Sequence, residues 1–219
     1  MANQNGIDSL QMFTSKAEAV SCVVSQAASM SQVFDYVVDV CDKREACQLL
    51  IPGCEEALSQ KAAGLCEAKR AKVVAAPNLS KRDFGSLKKK CEEKGILCID
   101  EGMRDREHLA GIDIGLAVCQ VGIADTGTVV LDSDSEEVRL SSMVSEVFVA
   151  VVDRKDIFAD AFAAEKAVNR LILKNSSYTA FITGASRTSD IERVLALGVH
   201  GPLEMHVVIL DKKNKKAGA

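Results

Sequence analysis

Apolar residues near the amino end of the chain recur at alternating steps of three and four. These residues are Leu10, Phe13, Ala17, Val20, Val24 and Ala27. Such spacing places side chains on one face of a helix. The stripe continues through Phe34, Val37 and Cys41, with Ser29 and Ser31 as a break between two helices. The pattern predicts an N-terminal helical extension over residues 1–45, which packs on its own domain or forms the seam of a homodimer.

Short apolar segments then alternate with helical segments. Strands are predicted at 48–51, 72–76 and 96–99, and helices at 55–70 and 80–94. Helices between short buried strands are typical of a parallel sheet with helices on both faces. We therefore expect an α/β fold with a parallel or mixed sheet flanked by helices.

The middle of the chain is richer in Val, Ile, Gly and Thr, which favours strands and tight turns over 114–133 and 137–152. Further elements are expected as a helix over 153–173, a strand over 178–183, a helix from about Ser189 and a strand over 204–210. We expect one α/β domain over 46–211, followed by a basic flexible tail over 212–219.

Composition excludes several classes of protein. The 219 residues are 47% apolar and carry 27 basic against 31 acidic side chains, a net charge of -4. A net-acidic chain lacks the broad basic face that nucleic-acid binding needs. No apolar run reaches the roughly 18 residues of a membrane span. The amino end, Met1 to Asn5, has no signal-peptide character, so we expect a cytoplasmic protein.

Cysteine spacing and missing motifs argue against a bound cofactor. None of the eight cysteines forms a C-x-x-C pair, so zinc and iron–sulfur sites have no support. They are expected to be small core residues, with Cys41, Cys47 and Cys54 partly exposed and Cys119 packed rather than nucleophilic. Dinucleotide, ATP and hydrolase motifs are also missing. The spacing of His200, Glu204 and His206 matches no zinc motif, so we expect no metal.

Two polar clusters follow predicted strands. The first, residues 122–128, ends in Asp125, Thr126, Gly127 and Thr128, which form either a plain β-turn or one wall of a binding site. The second lies between a strand and a helix start, where backbone N–H groups favour anions. Its candidate ligand-binding residues are Gly184, Ser186, Arg187, Thr188 and Asp190. Arg187 can bind a carboxylate or phosphate, or it can form an ion pair with Asp190. We expect this loop at the carboxyl end of a parallel strand.

A third cluster, 198–202, precedes the last predicted strand. His200 is a candidate acid, base or anion donor near neutral pH, and Gly201 a candidate backbone contact. Asp125 and His200 are the two candidate catalytic residues.

In their order and spacing, the segments 123–128, 183–192 and 198–202 resemble the LUD-domain family, which includes lactate utilisation protein C. The resemblance covers about 111–210. It implies a NagB/RpiA/CoA-transferase-like α/β fold and a cytoplasmic role beside iron–sulfur subunits that oxidise L-lactate to pyruvate. Ala185, where many relatives carry Pro, departs from the family pattern, as does the stretch 142–146.

Three functions are compatible with these residues. The chain is a non-redox subunit that binds a small anionic metabolite, a stand-alone enzyme of the acyl- or phosphosugar-handling type, or a regulatory binding protein. Convergence of the three clusters on one cleft favours the first two functions, and separation of the clusters favours the third.

Overall fold

The computed structural model describes residues 8–44, 71–103, 111–174, 177–188, 196–197 and 201–211. Over these ranges the elements are α1 (Ser9–Ala19), β1 (Cys22–Ala27), α2 (Met30–Asp42), β2 (Val73–Ala75), α3 (Lys81–Glu92), β3 (Leu97–Ile99), β4 (Ile112–Cys119), β5 (Val121–Ile123), β6 (Thr128–Asp132), α4 (Glu136–Met143), β7 (Ser145–Asp153), β8 (Ile157–Phe158), α5 (Ala161–Ile172), β9 (Thr179–Ile182), β10 (Arg187–Thr188), β11 (Ala196–Leu197) and β12 (Glu204–Leu210). A 3-10 turn, Arg154–Asp156, precedes β8.

The main sheet has six strands in the order β1-β12-β7-β4-β2-β3, and every pair is parallel. Its central strand β7 is rich in Val and almost wholly buried, because a parallel sheet is covered on both faces. One face packs against α2 and α3, and the other against α1 and a second sheet. The chain is therefore an α/β protein, as the alternating pattern predicted.

The second sheet has four strands in the order β8-β5-β6-β9. Strands β5 and β6 form an antiparallel hairpin, and β9 runs antiparallel to β6. Helix α5 covers the outer face of this sheet, where Ala164 is fully buried beside Val121 and Val130. The short strands β10 and β11 form a separate antiparallel pair.

Residues 22–27 form a strand, so the prediction of one helical face running through Ala27 is wrong. Strand β1 pairs along its whole length with β12 at the edge of the main sheet. Helix α2 begins at Met30, after Ser29 accepts a hydrogen bond from the backbone N–H of Gln32. Residues 8–44 are thus part of the α/β unit rather than an extension packed beside it.

Several other elements match the predictions and some do not. The strands expected near 72–76, 96–99, 178–183 and 204–210, and the helix expected over 80–94, are confirmed. Residues 136–143 form a helix where strands were expected, and the helix expected from 153 begins only at Ala161. The elements expected at 48–51, at 55–70 and from Ser189 lie outside the described residues.

Among the helices that the structure describes, none has the length and apolar character needed to cross a membrane.

Candidate functional site

Three threonine hydroxyls connect two segments that are distant in sequence. The Oγ1 atom of Thr128 lies 2.7 Å from Oγ1 of Thr126 and 2.7 Å from Oγ1 of Thr183. Thr128 is only 5% exposed, whereas Thr126 and Thr183 face solvent. The first and second predicted clusters therefore meet along an antiparallel strand pair, β6 with β9, and their hydroxyls form one chain of hydrogen bonds.

Two glycines set the shape of the loops beside this chain. Gly127 has φ +67° and Gly184 has φ +80°, a conformation that residues with a Cβ rarely adopt. A Cβ on Gly127 would lie 2.4 Å from the backbone N of Ala17, and one on Gly184 would lie 2.6 Å from the Val20 carbonyl oxygen. Both turns therefore pack directly against the last turn of α1, and only glycine fits either position.

The second and third clusters also meet. The backbone N–H of Ser186 donates to the Pro202 carbonyl over 3.0 Å. A Cβ on Gly201 would lie 3.2 Å from Cβ of Ser186, so this glycine allows the two loops to approach closely. The loop that carries Arg187 is thus joined to the turn at 126–128 through Thr183 and to residues 201–202 through Ser186.

Arg187 begins the short strand β10, where its backbone is paired with Leu197. Its side chain is exposed. Its positive charge is near enough to the Cys22 thiol, at the start of β1, to act on the pKa of that thiol. Burial raises the pKa of Cys22, while a hydrogen bond from the Gly184 backbone and the positive charge of Arg187 act in the opposite direction. Burial outweighs both of these contributions, so Cys22 stays a neutral thiol, although the Gly184 amide and the Arg187 charge each favour a negative group placed beside them.

The position of the arginine loop in the fold differs from the prediction. Strand β9, which leads into it, belongs to the second sheet and is antiparallel to its neighbour β6. The loop contacts Cys22, the first residue of β1, and Pro202, which precedes β12. It lies at the amino ends of two parallel strands, so the expected location at the carboxyl end of a parallel strand is wrong.

The remaining predicted residues are distributed as follows. Asp125 has an exposed side chain, and its backbone N–H donates to the Ala159 carbonyl over 3.0 Å, which anchors the turn to the end of β8. The backbone of Thr188 completes β10. Asp190 and His200 lie outside the described residues.

The cysteines that the structure describes are buried: Cys22, Cys41, Cys91, Cys98 and Cys119. The expectation that Cys41 is partly exposed is wrong, because it lies in the core between α2 and the sheet. Burial raises the pKa of Cys119 to about 12, so this thiol stays protonated and is not a nucleophile at neutral pH.

The sequence analysis included Thr183 in the second cluster without giving it a role, and it missed Cys22. Thr183 ends a predicted strand and belongs to a hydroxyl-rich segment, so its polar character was a usable signal. Cys22 carried no such signal, because its neighbours fit the apolar face of a helix. Its role as a neighbour of Gly184 depends on the pairing of β1 with β12, which the sequence does not reveal.

An α/β protein with a six-stranded parallel sheet, and with three polar loops joined beside that sheet, is the class that these observations define. The LUD domain family model matches residues 10–210, so the chain belongs to the LUD domain family.

Relatives share about half of their length with this chain. It is similar to lactate utilization protein C of Geobacillus thermodenitrificans, with 32% identity over 104 residues, or 46% of this chain and 43% of that protein. It is 29% identical over 115 residues to lactate utilization protein C of Shouchella clausii, and the match covers 52% of this chain and 50% of that protein. An uncharacterized protein of Neisseria meningitidis is 36% identical over 107 residues, and the match covers 48% of this chain and 45% of that protein.

A solved structure has the same fold. The crystal structure of a DUF162 family protein from Deinococcus radiodurans matches with a TM-score of 0.50 and 16% identity, over 92% of this chain and 96% of that one. At this identity the match supports the α/β architecture.

Proposed function

We propose that this chain is a non-redox component of a lactate-utilisation system, in which it binds a small anionic metabolite at the three joined loops. The observation that carries the proposal is the convergence of these loops, through Thr128 with Thr183 and through Ser186 with Pro202. Membership of the LUD domain family and the names of the curated relatives support the pathway.

The proposed ligand carries a carboxylate or a phosphate. Arg187 supplies a positive charge and can bind either group through bidentate hydrogen bonds. Hydroxyl and backbone donors beside it would complete the anion's hydrogen bonds, with no further charge needed. These donors are Ser186 and Thr188, with the backbone of Gly184 and Gly201.

The turn at 125–128 forms the facing wall of the proposed site. Thr126 and Thr128 already share one hydrogen-bond chain, so their hydroxyls are held in fixed positions, and Gly127 lets the turn pack on α1. We assign Asp125 and His200 as the residues that would exchange a proton with the ligand, and Asp190 as a neighbouring polar residue of the arginine segment.

Oxidation of L-lactate to pyruvate removes two electrons, which a carrier must accept. We assign the carriers to iron–sulfur partner subunits, because this chain has none of the cysteine spacings of cluster-binding proteins. The proposed complex acts in the cytoplasm, and this component is proposed to pair with a second copy of itself.

The experiment is a calorimetric titration of the purified chain with L-lactate, pyruvate and inorganic phosphate. We expect binding of at least one anion by the wild type and loss of that binding in Arg187→Ala, with the fold retained by circular dichroism. The matched control is Arg82→Ala, which removes an exposed arginine of α3. Equal affinity in wild type and Arg187→Ala, or no binding of any of the three anions, contradicts the proposal.

A second assay separates this function from that of a stand-alone enzyme. The purified chain is incubated with coenzyme A thioesters and with sugar phosphates. We expect no turnover without partner proteins. Sustained turnover that Asp125→Asn abolishes would favour an acyl- or phosphosugar-handling enzyme instead.

A further inference from the structure

A chain of polar side chains crosses from α2 to β12, on the face of the main sheet that α2 covers. The Tyr36 hydroxyl lies 2.8 Å from Nδ1 of His206, and Nε2 of the same ring lies 3.4 Å from Oε2 of Glu204. Arg44, two residues beyond α2, forms an ion pair with the same carboxylate oxygen. The order is therefore hydroxyl, imidazole, carboxylate and guanidinium.

His206 is the buried centre of this network, with only 5% of its surface exposed. Glu204 and His206 are two residues apart on one strand, so their side chains lie on the same face. The rings of Tyr36 and His206 are also in contact, with 5.8 Å between their centroids. Both nitrogens of the imidazole therefore have a hydrogen-bond partner, and the ring has little freedom to rotate.

The charges around the ring determine which nitrogen carries the proton. Burial raises the pKa of Glu204, but the hydrogen bond and charge of Arg44 outweigh it and hold that pKa below its usual value. The ionised carboxylate of Glu204 accepts a hydrogen bond from Nε2–H. Burial lowers the pKa of His206, so the ring is neutral at pH 7 and Nδ1 is left as an acceptor. Burial also raises the pKa of Tyr36, so the phenol keeps its proton and its O–H donates a hydrogen bond to Nδ1.

Ser25 adds an unsatisfied group beside this network. Its hydroxyl on β1 is buried and lies close enough to the Tyr36 phenol to act on the pKa of that group, but it makes no hydrogen bond of normal length and angle within the described structure. A buried hydroxyl without a well-formed hydrogen bond is unfavourable, so such a group calls for an explanation. In the neutral network the Tyr36 O–H donates to His206, so Ser25 Oγ does not accept from it.

We propose that His206 is a proton-binding site and that proton binding turns the Tyr36 hydroxyl from His206 to Ser25. A proton from solvent adds to Nδ1, which then becomes a donor instead of an acceptor. Nδ1–H donates to the Tyr36 oxygen, the Tyr36 O–H donates to Ser25 Oγ, and Nε2–H stays on Glu204. The orphan hydroxyl of Ser25 is the acceptor that this second arrangement needs.

Charged groups on two elements face the network. Glu204 on β12 favours a proton on His206, whereas Arg44, two residues beyond α2, opposes it. Asp39 on α2 acts on Tyr36, raising its pKa together with Glu204. On β1, the polar group that lies near Tyr36 is Ser25, which carries no charge. A proton on His206 therefore competes with Arg44 for Glu204, so the switch acts on the contact between the end of α2 and the main sheet.

The test is NMR titration of the imidazole nitrogens of His206 from pH 8 to pH 4.5, in the wild type and in Ser25→Ala. Loss of the Ser25 acceptor destabilises only the protonated arrangement. We expect the pKa of His206 to fall by about 0.5 to 1 in the variant, the equivalent of one neutral hydrogen bond. Ser25→Ala removes a group without a partner, so the variant is expected to fold.

Two controls complete the experiment. Ser31→Ala, at an exposed position of α2, is expected to leave the titration of His206 unchanged. In a Tyr36→Phe background Ser25→Ala is expected to have no effect, because the phenolic O–H carries the coupling. An unchanged or raised pKa in Ser25→Ala overturns the proposal. So does an equal fall in the Tyr36→Phe background, which would show that Ser25 acts on His206 without the phenol.

Discussion

The hydroxyl oxygens of Thr128 and Thr183 lie 2.7 Å apart, although 55 residues separate them in the sequence. This contact joins the turn at 125–128 to the loop that carries Arg187. Since Thr128 is buried and also bonded to Thr126, the position of one loop depends on the position of the other. A change at any of the three threonines is therefore a change to the proposed site as well as to the fold.

Replacing Thr128 by Val keeps the shape of the side chain and removes its hydroxyl. We expect a loss of about 0.5–1.5 kcal/mol in the free energy of unfolding, because two hydrogen bonds are lost while the former partners, Thr126 and Thr183, can still bond to water. Urea denaturation measures it. The effects of Thr128→Val and Thr183→Val should be less than additive, because both variants remove the same hydrogen bond. Strict additivity would show that the contact contributes nothing to stability.

Gly184→Ala should be strongly destabilising. The left-handed backbone at φ +80° disfavours any side chain, and the new Cβ would meet the Val20 carbonyl at 2.6 Å. We expect a loss of about 2 kcal/mol or more in the free energy of unfolding.

Gly85→Ala is the matched control for that variant. Gly85 lies inside α3 with open space where an alanine Cβ would be placed, so alanine should stabilise the helix by about 0.5–1 kcal/mol. Both variants can be measured by the same urea titration. Equal effects at the two positions would mean that the contact between the arginine loop and α1 is not formed.

Stability should fall as the pH falls below about 6.5. The pKa of His206 is lowered from 6.5 by burial, so below this pH the unfolded chain binds a proton that the folded chain does not. The stabilisation is complete above pH 6.5 and is lost as the pH falls through the folded-state pKa. The free energy of unfolding from pH 8 to pH 5.5 measures this, and the slope should be shallower in His206→Asn. An identical slope in the two proteins would contradict the assignment.

Cys119 should not react with iodoacetamide in the native protein. Its thiol is buried and its pKa is raised to about 12, so neither access nor ionisation favours alkylation. Mass spectrometry of the peptide around Cys119 should show modification only after unfolding in urea. Rapid labelling of native protein would indicate that β4 opens at its carboxyl end.

The main sheet was largely predictable from local pattern. Short apolar runs bounded by Gly or Pro located β2, β3 and β12, because buried parallel strands are apolar on both faces. The strand at residues 22–27 was not predictable, because Val20, Val24 and Ala27 also fit a helical spacing and short apolar runs satisfy both patterns. Pairing with β12 decided the outcome, and such pairing is a tertiary contact.

The site was predictable as a set of segments but not as an arrangement. Turn formers and hydroxyls marked 125–128 and 183–188 in the sequence. The direction of β9 was not predictable, so the loop after it was expected at the wrong end of a strand. The contact of Tyr36 with His206 spans 170 residues and no local signal indicates it.

The central claim is that three loops share one anion site, and the most direct measurement is a backbone-amide NMR titration with pyruvate. We predict that the amides of Gly127, Gly184 and Arg187 shift together with one dissociation constant, and that amides of α3 do not move. Shifts confined to another surface, or separate dissociation constants for the loops, would contradict the account.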